Sequence, residues 1–396
     1  MLENKTVVLG VTGSIAAYKI ANLASALKKK KCDVHVIMTK NATNFINPIT
    51  FETLTGNKCL VDTFDRNFEF NVEHVSLAKR ADVFMVAPAS ANVIGKIAGG
   101  IADDMLTTTI MACHCPKIIS PAMNTGMFEN PIVQDNLKKL KKYGYEVIEP
   151  ADGYLACGDV GRGKMPEPEL LLEYINKAIA MEKTFSGKNV LITAGPTMEK
   201  IDPVRFISNH STGKMGYNLA RIAMYKGANV TLVTGKTAIK TPDFVNVIQV
   251  ESAQDMYDAV DATFDDQDVV IMSAAVADYK PKNVYDEKVK KKDGEMAIEL
   301  ERTKDILASM SKRRKNQFIC GFSMETENMI ENSKAKLEKK NVDMICANNL
   351  KVEGAGFGVD TNVVTIITND DVKELPLDTK ENVAAAILDE ISNRLT

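Results

Sequence analysis

Apolar positions along the chain fall in short unbroken runs rather than in strict alternation. KTVVLGV (5–11), DVHVIMT (33–39) and DVFMVA (82–87) each give way to small or polar residues, and further runs lie near 117–120 and 146–148. Runs this short and apolar on both faces indicate strands of a parallel sheet covered on each side. Between the first two runs, apolar residues return every three or four positions from Ile15 to about Lys30. That spacing predicts a helix burying Ile15, Ile20, Leu23, Ala24 and Leu27, with Lys28 to Lys31 at the negative end of its dipole. Glu167–Lys183 reads as another helix.

The plan then repeats. KNVLITAGPT (188–197) echoes KTVVLGVTG (5–13), GANVTLVTG (227–235) echoes KCDVHVIMTK (31–40), and DVVIMSAAVAD (268–278) echoes DVFMVAPASAN (82–92). The chain therefore reads as α/β, with two tandem doubly wound, Rossmann-like domains covering 1–186 and 187–396 and a junction at Ser186-Gly187. Ligands in this architecture bind where loops gather at the carboxyl ends of the strands.

Composition narrows the function. The 396 residues are 45% hydrophobic and 26% charged, with 49 Lys and Arg against 52 Asp and Glu. There is no basic excess to neutralise a nucleic-acid backbone, so no nucleic acid is expected as partner. No apolar run reaches the length of a membrane span, and no membrane partner is expected. The start of the chain enters a strand without a leader-like segment, so a cytoplasmic protein is expected. Seven scattered cysteines, an odd number, indicate thiols rather than a disulfide framework. Cys113-His114-Cys115 lacks a second ligand pair for structural zinc, and no metal ligands are assigned.

Candidate chemistry lies after the strands. Thr12-Gly13-Ser14 joins a strand to a helix, where backbone N–H groups and a hydroxyl can receive phosphate, but it is not a GxGxxG fingerprint. PASAN (88–92) and PAMN (121–124) place small and amide side chains at two further strand ends. DGYLACGDVGRGKMPEP (152–168), with four glycines, cannot form a stable helix or central strand and is expected to be a mobile loop, either a lid carrying the Cys157 thiol or plain surface. In the second half, AGPTMEKIDPVRFISNHSTGKMG (194–216) is polar and glycine-punctuated and opens a helix at about Gly216. Met215 stands where a Walker motif needs Ser or Thr, so it is not a P-loop. KVKKK (288–292) reads from charge alone as a solvated run, and Lys336 and Lys340 share a face of a helix predicted over 328–340.

GVTGSIAAYK (10–19), PASANVIGKIAGGIADD (88–104), PAMNTGMF (121–128) and ACGDVGRGKMPEP (156–168) together resemble the flavin-dependent cysteine decarboxylases. Over nearly its whole length the chain resembles the bifunctional family of coenzyme A synthesis that joins phosphopantothenoylcysteine decarboxylase to phosphopantothenate–cysteine ligase. The resemblance implies a flavodoxin-like first domain holding FMN, with Gly13 and Ser14 at the flavin phosphate and Thr39, Ser90, Ala91 and Asn92 lining the cofactor. It implies that the substrate thiol is oxidised to a thioaldehyde, which eases loss of carbon dioxide, before reduction completes the reaction. His74 matches the active-site histidine, Asn124 the amide that holds the substrate carboxylate, and Cys157 the acid that protonates the enethiolate. Phe128 stands where the family usually carries tryptophan.

For the second domain the resemblance implies that 4′-phosphopantothenate is activated by CTP, with Mg2+, as an acyl cytidylate, and that cysteine then displaces CMP. Asn209 would hold the acyl intermediate and Lys288 would assist at that stage. Ser211, Gly213 and Gly216 would contact nucleotide phosphates. Ala274, Ala275, Asp278, Asp305, Ile306, Leu307, Phe322, Lys336 and Lys340 match further nucleotide-binding positions. The product of ligation, phosphopantothenoylcysteine, would be the decarboxylase substrate. The family also implies a homo-oligomer, with trimeric flavin domains and dimeric ligase domains that combine in a dodecamer. Three other readings stand against this one: an FMN-dependent decarboxylase of another cysteine-containing substrate, a non-catalytic regulatory flavoprotein, and a generic NAD(P) oxidoreductase, which the lack of a GxGxxG fingerprint in both halves disfavours.

Overall fold

The structure is a computed structural model that describes residues 1–64, 73–154, 158, 160–290, 297–325, 327–349, 354, 356 and 358–395. The chain divides into two compact units, Met1–Met181 and Glu182–Thr396. Among the described residues no helix is long and apolar enough to cross a membrane.

In the first unit, β1 (Thr6–Val11), β2 (Asp33–Met38), β3 (Val83–Ala89), β4 (Lys117–Pro121) and β5 (Glu146–Val147) form a parallel sheet in the order β2-β1-β3-β4-β5. Val7 lies between Val34 and Val83 in the ladder, and every residue of β3 is buried. A strand buried on both faces needs apolar residues at every position, which is why these runs do not alternate. The strand order reverses between β1 and β3, and their carboxyl ends frame the crevice where this architecture binds ligands.

Two expectations are corrected here. Ile15 is not in the helix core: Ile15–Ala17 is a short 3-10 turn, the helix runs Tyr18–Lys29, and Ile15 is 57% exposed. The apolar spacing continues through a turn whose first side chain faces outward. The glycine-rich segment is not simply a loop either, because β6 (Ala151–Tyr154) and β7 (Val160–Lys164) pair as an antiparallel hairpin. A free-standing hairpin needs no apolar faces, and Gly153 and Gly163, at φ 152° and 140°, adopt backbone conformations that L side chains rarely take. Cys157 lies outside the described residues.

The second unit is built on β8 (Asn189–Ala194), with β9 (Met198–Lys200) and β10 (Phe206–Ser208) as a hairpin in the loop that follows. Its main sheet adds β11 (Asn229–Thr234), β12 (Asn246–Gln249) and β13 (Val269–Met272); a second hairpin pairs β14 (Tyr279–Pro281) with β15 (Leu300–Arg302). The later strands are β16 (Phe318–Glu325), β17 (Met344–Asn349), β18 (Thr361–Asn362), β19 (Val364–Thr368), β20 (Val372–Glu374) and β21 (Asp378–Thr379). The main sheet has the order β12-β11-β8-β13-β16-β17-β19-β20, parallel as far as β17 and antiparallel beyond it. The helix after the polar loop begins at Lys214, two residues before the expected Gly216, because Gly213 at φ 77° makes the turn into it. Phe185 is fully buried, its N–H bonds to the Lys226 carbonyl at 2.9 Å, and Lys183 Nζ donates to the Tyr225 carbonyl at 2.6 Å. These contacts attach the residues just before β8 to the second unit.

Candidate active sites

In the first unit the carboxyl ends of β1 and β3 are joined by one buried hydroxyl. Thr12 Oγ1 donates to the Pro88 carbonyl at 2.7 Å and accepts the Ser90 N–H at 2.9 Å. Ser14 Oγ accepts the Ala16 N–H at 3.4 Å, and Ser90 Oγ caps the helix Ala91–Gly99 through the Val93 N–H at 3.5 Å. A side chain on Gly13 would come within 2.9 Å of Asn41 Cβ. Thr39 leaves β2 with its N–H on the Val11 carbonyl at 3.0 Å. Its Oγ1 is buried and has no partner among the described residues. Gly13, Ser14, Thr39, Ser90, Ala91 and Asn92 thus follow three adjacent strand ends.

Ser14 and Asn124 line one cavity of about 670 Å³ together with Ile15, Tyr18, Lys19 and Tyr154. Asn124 Oδ1 accepts the Gly126 N–H at 2.9 Å, which fixes the amide at the start of the short helix Thr125–Phe128. The hairpin closes on this wall: the Met123 N–H donates to the Gly163 carbonyl at 3.0 Å, and a Cβ on Gly163 would lie 2.3 Å from the Met123 oxygen. Lys19 Nζ reaches Glu167 at 2.7 Å and holds that carboxyl below the usual carboxylate range. Phe128 is buried in the core of this unit, so the aromatic ring is used for packing. His74 is half-buried on the helix Glu73–Arg80 and is not among the described residues that line the cavity.

A phosphate ester with a polar tail fits this arrangement. Gly13 has no room for a side chain beside Asn41, so the turn presents backbone N–H groups and the Ser14 hydroxyl, and the orphaned Thr39 hydroxyl offers a buried polar group that gains from a ligand partner. The residues present fit FMN.

In the second unit a cavity of about 460 Å³ opens beyond β13 and β16. Ala274, Asp278, Asp305, Ile306, Leu307, Phe322, Lys336 and Lys340 line it. Thr193 builds its floor, accepting the Ala274 N–H on Oγ1 at 3.2 Å and the Ser273 hydroxyl on its carbonyl at 2.6 Å. Lys336 Nζ donates to the Phe322 carbonyl at 3.3 Å. Asp305 caps the helix Ile306–Arg313 by accepting the Ala308 N–H at 2.9 Å, and its other oxygen pairs with Lys340. Burial pushes the Lys340 ammonium below the ordinary lysine range, with Asp278 opposing the shift. The cavity thus gathers three amines (Lys304, Lys336 and Lys340), the Arg302 guanidinium and two aromatic rings (Tyr279 and Phe322) around the carboxylates of Asp278 and Asp305.

Asn209 joins this site from outside, because its Nδ2 donates to the Ala275 carbonyl at 2.9 Å. Ala275, Ser211, Gly213, Gly216 and Lys288 are not among the described residues lining the cavity. Ser211 Oγ accepts the Gly213 N–H at 3.3 Å. Gly216 has a packing reason to be glycine, since a Cβ there would lie 2.5 Å from Ala194 Cβ and 2.6 Å from Ser273 Oγ. Sequence reasoning missed Thr193, Tyr279, Arg302 and Lys304, which share the lining. Lys304 Nζ sits 4.3 Å from the ring centre of Tyr257. The two basic residues just ahead of the Asp305 cap were the readable signal; the aromatic neighbour, 47 positions away by number, carried none.

A family model described as Flavoprotein matches residues 1–180, and one described as DNA/pantothenate metabolism flavoprotein C-terminal domain matches residues 185–395. The coenzyme A biosynthesis bifunctional protein CoaBC of Bacillus subtilis is 48% identical over 396 residues, covering 99% of this chain and 98% of the relative. The chain belongs to the CoaBC family. The CoaBC of Borreliella burgdorferi is 42% identical over 98% of this chain and 99% of its own length. Among solved structures, the C-terminal domain of a CoaBC matches with 46% identity and a TM-score of 0.47 over 54% of this chain and 98% of that one. As a CoaBC protein the chain is a bifunctional enzyme of coenzyme A biosynthesis, with a flavin-dependent phosphopantothenoylcysteine decarboxylase and a phosphopantothenate–cysteine ligase.

Proposed function

We propose that the second unit ligates cysteine to 4′-phosphopantothenate with CTP, and that the first unit converts the resulting phosphopantothenoylcysteine to 4′-phosphopantetheine, with the cytoplasm as the place of action. The observation that carries the ligase half is the convergence of Lys336, Lys340, Phe322 and the Ala274–Asp278 turn on one cavity at the carboxyl ends of β13 and β16. The amines of Lys304, Lys336 and Lys340 neutralise a polyphosphate, and the Phe322 ring offers a face to a base. A carboxylate oxygen of phosphopantothenate attacks the α-phosphorus and pyrophosphate leaves; the cysteine amine then attacks the acyl carbon and CMP leaves. Asn209 holds the acyl group, Lys288 steadies the negative charge of the first step, and Ser211, Gly213 and Ala275 shape the phosphate path. Mg2+ would accompany the nucleotide and supply charge neutralisation of its phosphates.

In the first unit Gly13, Ser14, Thr39 and Ser90 to Asn92 hold FMN, which supplies reversible two-electron redox chemistry when bound. Asn124 orients the substrate carboxylate as a neutral amide, which stabilises the ground state less than a cation does. His74 serves the same site. Cys157 delivers the proton to the enethiolate. The oligomer we propose has trimeric flavin domains and paired ligase domains.

The ligase reading is tested by incubating the protein with 4′-phosphopantothenate and Mg2+ without cysteine. Pyrophosphate release with CTP and a trapped cytidylate are expected. Release with ATP alone contradicts the nucleotide assignment.

A further inference from the structure

The Asp202 carboxylate is buried beneath the turn between β9 and β10, where five donors meet it. Oδ1 accepts the N–H groups of Val204 at 2.9 Å and Arg205 at 2.8 Å. Oδ2 accepts Nε of Arg205 at 2.9 Å, its terminal nitrogen at 2.5 Å, and the Val289 N–H at 3.2 Å. The same terminal nitrogen donates to the Val289 carbonyl at 2.9 Å. One ion pair therefore grips both backbone polar groups of a residue more than 80 positions further along the chain. A second tie lies close by, since the Tyr285 N–H donates to the Ile201 carbonyl at 3.0 Å. The Arg205 guanidinium, with the three backbone donors, holds the Asp202 carboxyl well below the usual carboxylate range.

The gripped residue is the neighbour of Lys288. Its segment is charged and exposed, and from Lys282 to Lys290 only Val289 is even half-buried. Side-chain packing therefore does little to fix where the Lys288 ammonium stands, and the grip on the Val289 backbone does most of it. A lysine that must meet a developing charge loses much of its effect when its backbone wanders, because the search has to be repeated at each turnover.

We propose that Asp202 and Arg205 are positioning residues of the ligase: by clamping the Val289 backbone they set Lys288 for the acyl-activation step. This rests on the reading of Lys288 given above. The same hairpin carries on through β10 to Asn209, whose amide donates to the Ala275 carbonyl without any contact to Asp202 or Arg205 among the hydrogen bonds of that turn.

The decisive variant is Asp202→Asn in the full chain. An amide keeps an acceptor for Val204 and Arg205 N–H, but turns a donor toward the guanidinium and the Val289 N–H. Pyrophosphate release from CTP and 4′-phosphopantothenate is expected to fall roughly tenfold or more in kcat, with KM for CTP within about twofold. The same preparation should decarboxylate supplied phosphopantothenoylcysteine at the unaltered rate. Hydrogen exchange should show the Val289 amide losing protection while β8 and β13 keep theirs. Arg205→Lys, which reaches Asp202 but lacks the fork to the Val289 carbonyl, should lie between the two. In a Lys288→Ala background Asp202→Asn should cost nothing further. An exposed Val289 amide with undiminished kcat overturns the proposal, as does a loss that multiplies fully with that of Lys288→Ala. Full pyrophosphate release by Lys288→Ala alone overturns the reading of Lys288 itself, and the clamp's role with it.

Discussion

Asn209 Nδ2 donates to the carbonyl of Ala275 at 2.9 Å, joining residues 66 positions apart. Ala275 is itself fixed, since its N–H donates to the Gly195 carbonyl at 2.9 Å and its carbonyl also accepts the Thr197 N–H at 3.2 Å. The amide is therefore held against the turn that lines the cavity beyond β13 and β16. In Asn209→Asp the donor becomes an acceptor facing a carbonyl oxygen. Stranding such a group costs about 1–3 kcal/mol, so ligation should fall roughly tenfold to a hundredfold. Decarboxylation of supplied phosphopantothenoylcysteine should be untouched, and a parallel loss of both activities argues against a local effect.

Thr12→Val tests the link between β1 and β3. Valine keeps the shape but strands the Pro88 carbonyl and the Ser90 N–H at the ends of β1 and β3, beside the turn proposed to hold the flavin. The expected cost is about 1–3 kcal/mol, read as a lower melting temperature of the flavin-loaded protein and weaker retention of FMN on dilution. Unchanged flavin retention would show that the strand ends are held in place by other contacts.

Nucleotide binding should depend on pH through Lys340. Its ammonium is shifted below the ordinary lysine value by burial, so it gives up its charge earlier as the solution becomes alkaline. Affinity for a triphosphate is therefore expected to weaken on the alkaline side sooner than for an ordinary lysine, and Lys340→Arg should preserve it. The fold behaves oppositely in that window. The unfolded chain binds more protons than the native one there, so this lysine's contribution to stability rises with pH. Titration calorimetry with CTP across the alkaline range, alongside thermal melts, separates the two trends.

Burial pushes the Cys32 thiol up to about 11 and that of Cys59 up to about 12, and it raises Cys346, whose sulfur lies 3.7 Å from that of Cys320. Alkylation goes through the thiolate, so these sites should stay unlabelled by iodoacetamide at neutral pH in the native protein and react after denaturation. Mass mapping of the labelled cysteines checks this; native labelling of Cys59 contradicts the packing described.

The strands that were easiest to foresee are those buried on both faces. In TVVLGV only the leading Thr6 is polar and in VFMVAPA no side chain is, so both suit strands buried on both faces. The later half of the second sheet was harder to read. The internal echo ends after DVVIMSAAVAD, and β19 and β20 turn antiparallel, so nothing in the first unit foreshadows them. Ile15 was misread because periodicity cannot distinguish a 3-10 turn from the helix it leads into. The hairpin at 151–164 was hidden by its glycines, which weaken a central strand but suit a free-standing pair of strands that bends over Met123. Asp202 gave no sign at all: one carboxylate among many, its importance comes from donors supplied by residues 205 and 289.

The account as a whole rests on two chemistries in one chain. Incubating the flavin-loaded protein with 4′-phosphopantothenate, cysteine, Mg2+ and either CTP or ATP, and following every small product by mass spectrometry, tests that directly. The account predicts 4′-phosphopantetheine together with CMP, pyrophosphate and carbon dioxide, with phosphopantothenoylcysteine as a passing intermediate. A folded, flavin-loaded sample that forms neither phosphopantothenoylcysteine nor phosphopantetheine contradicts it.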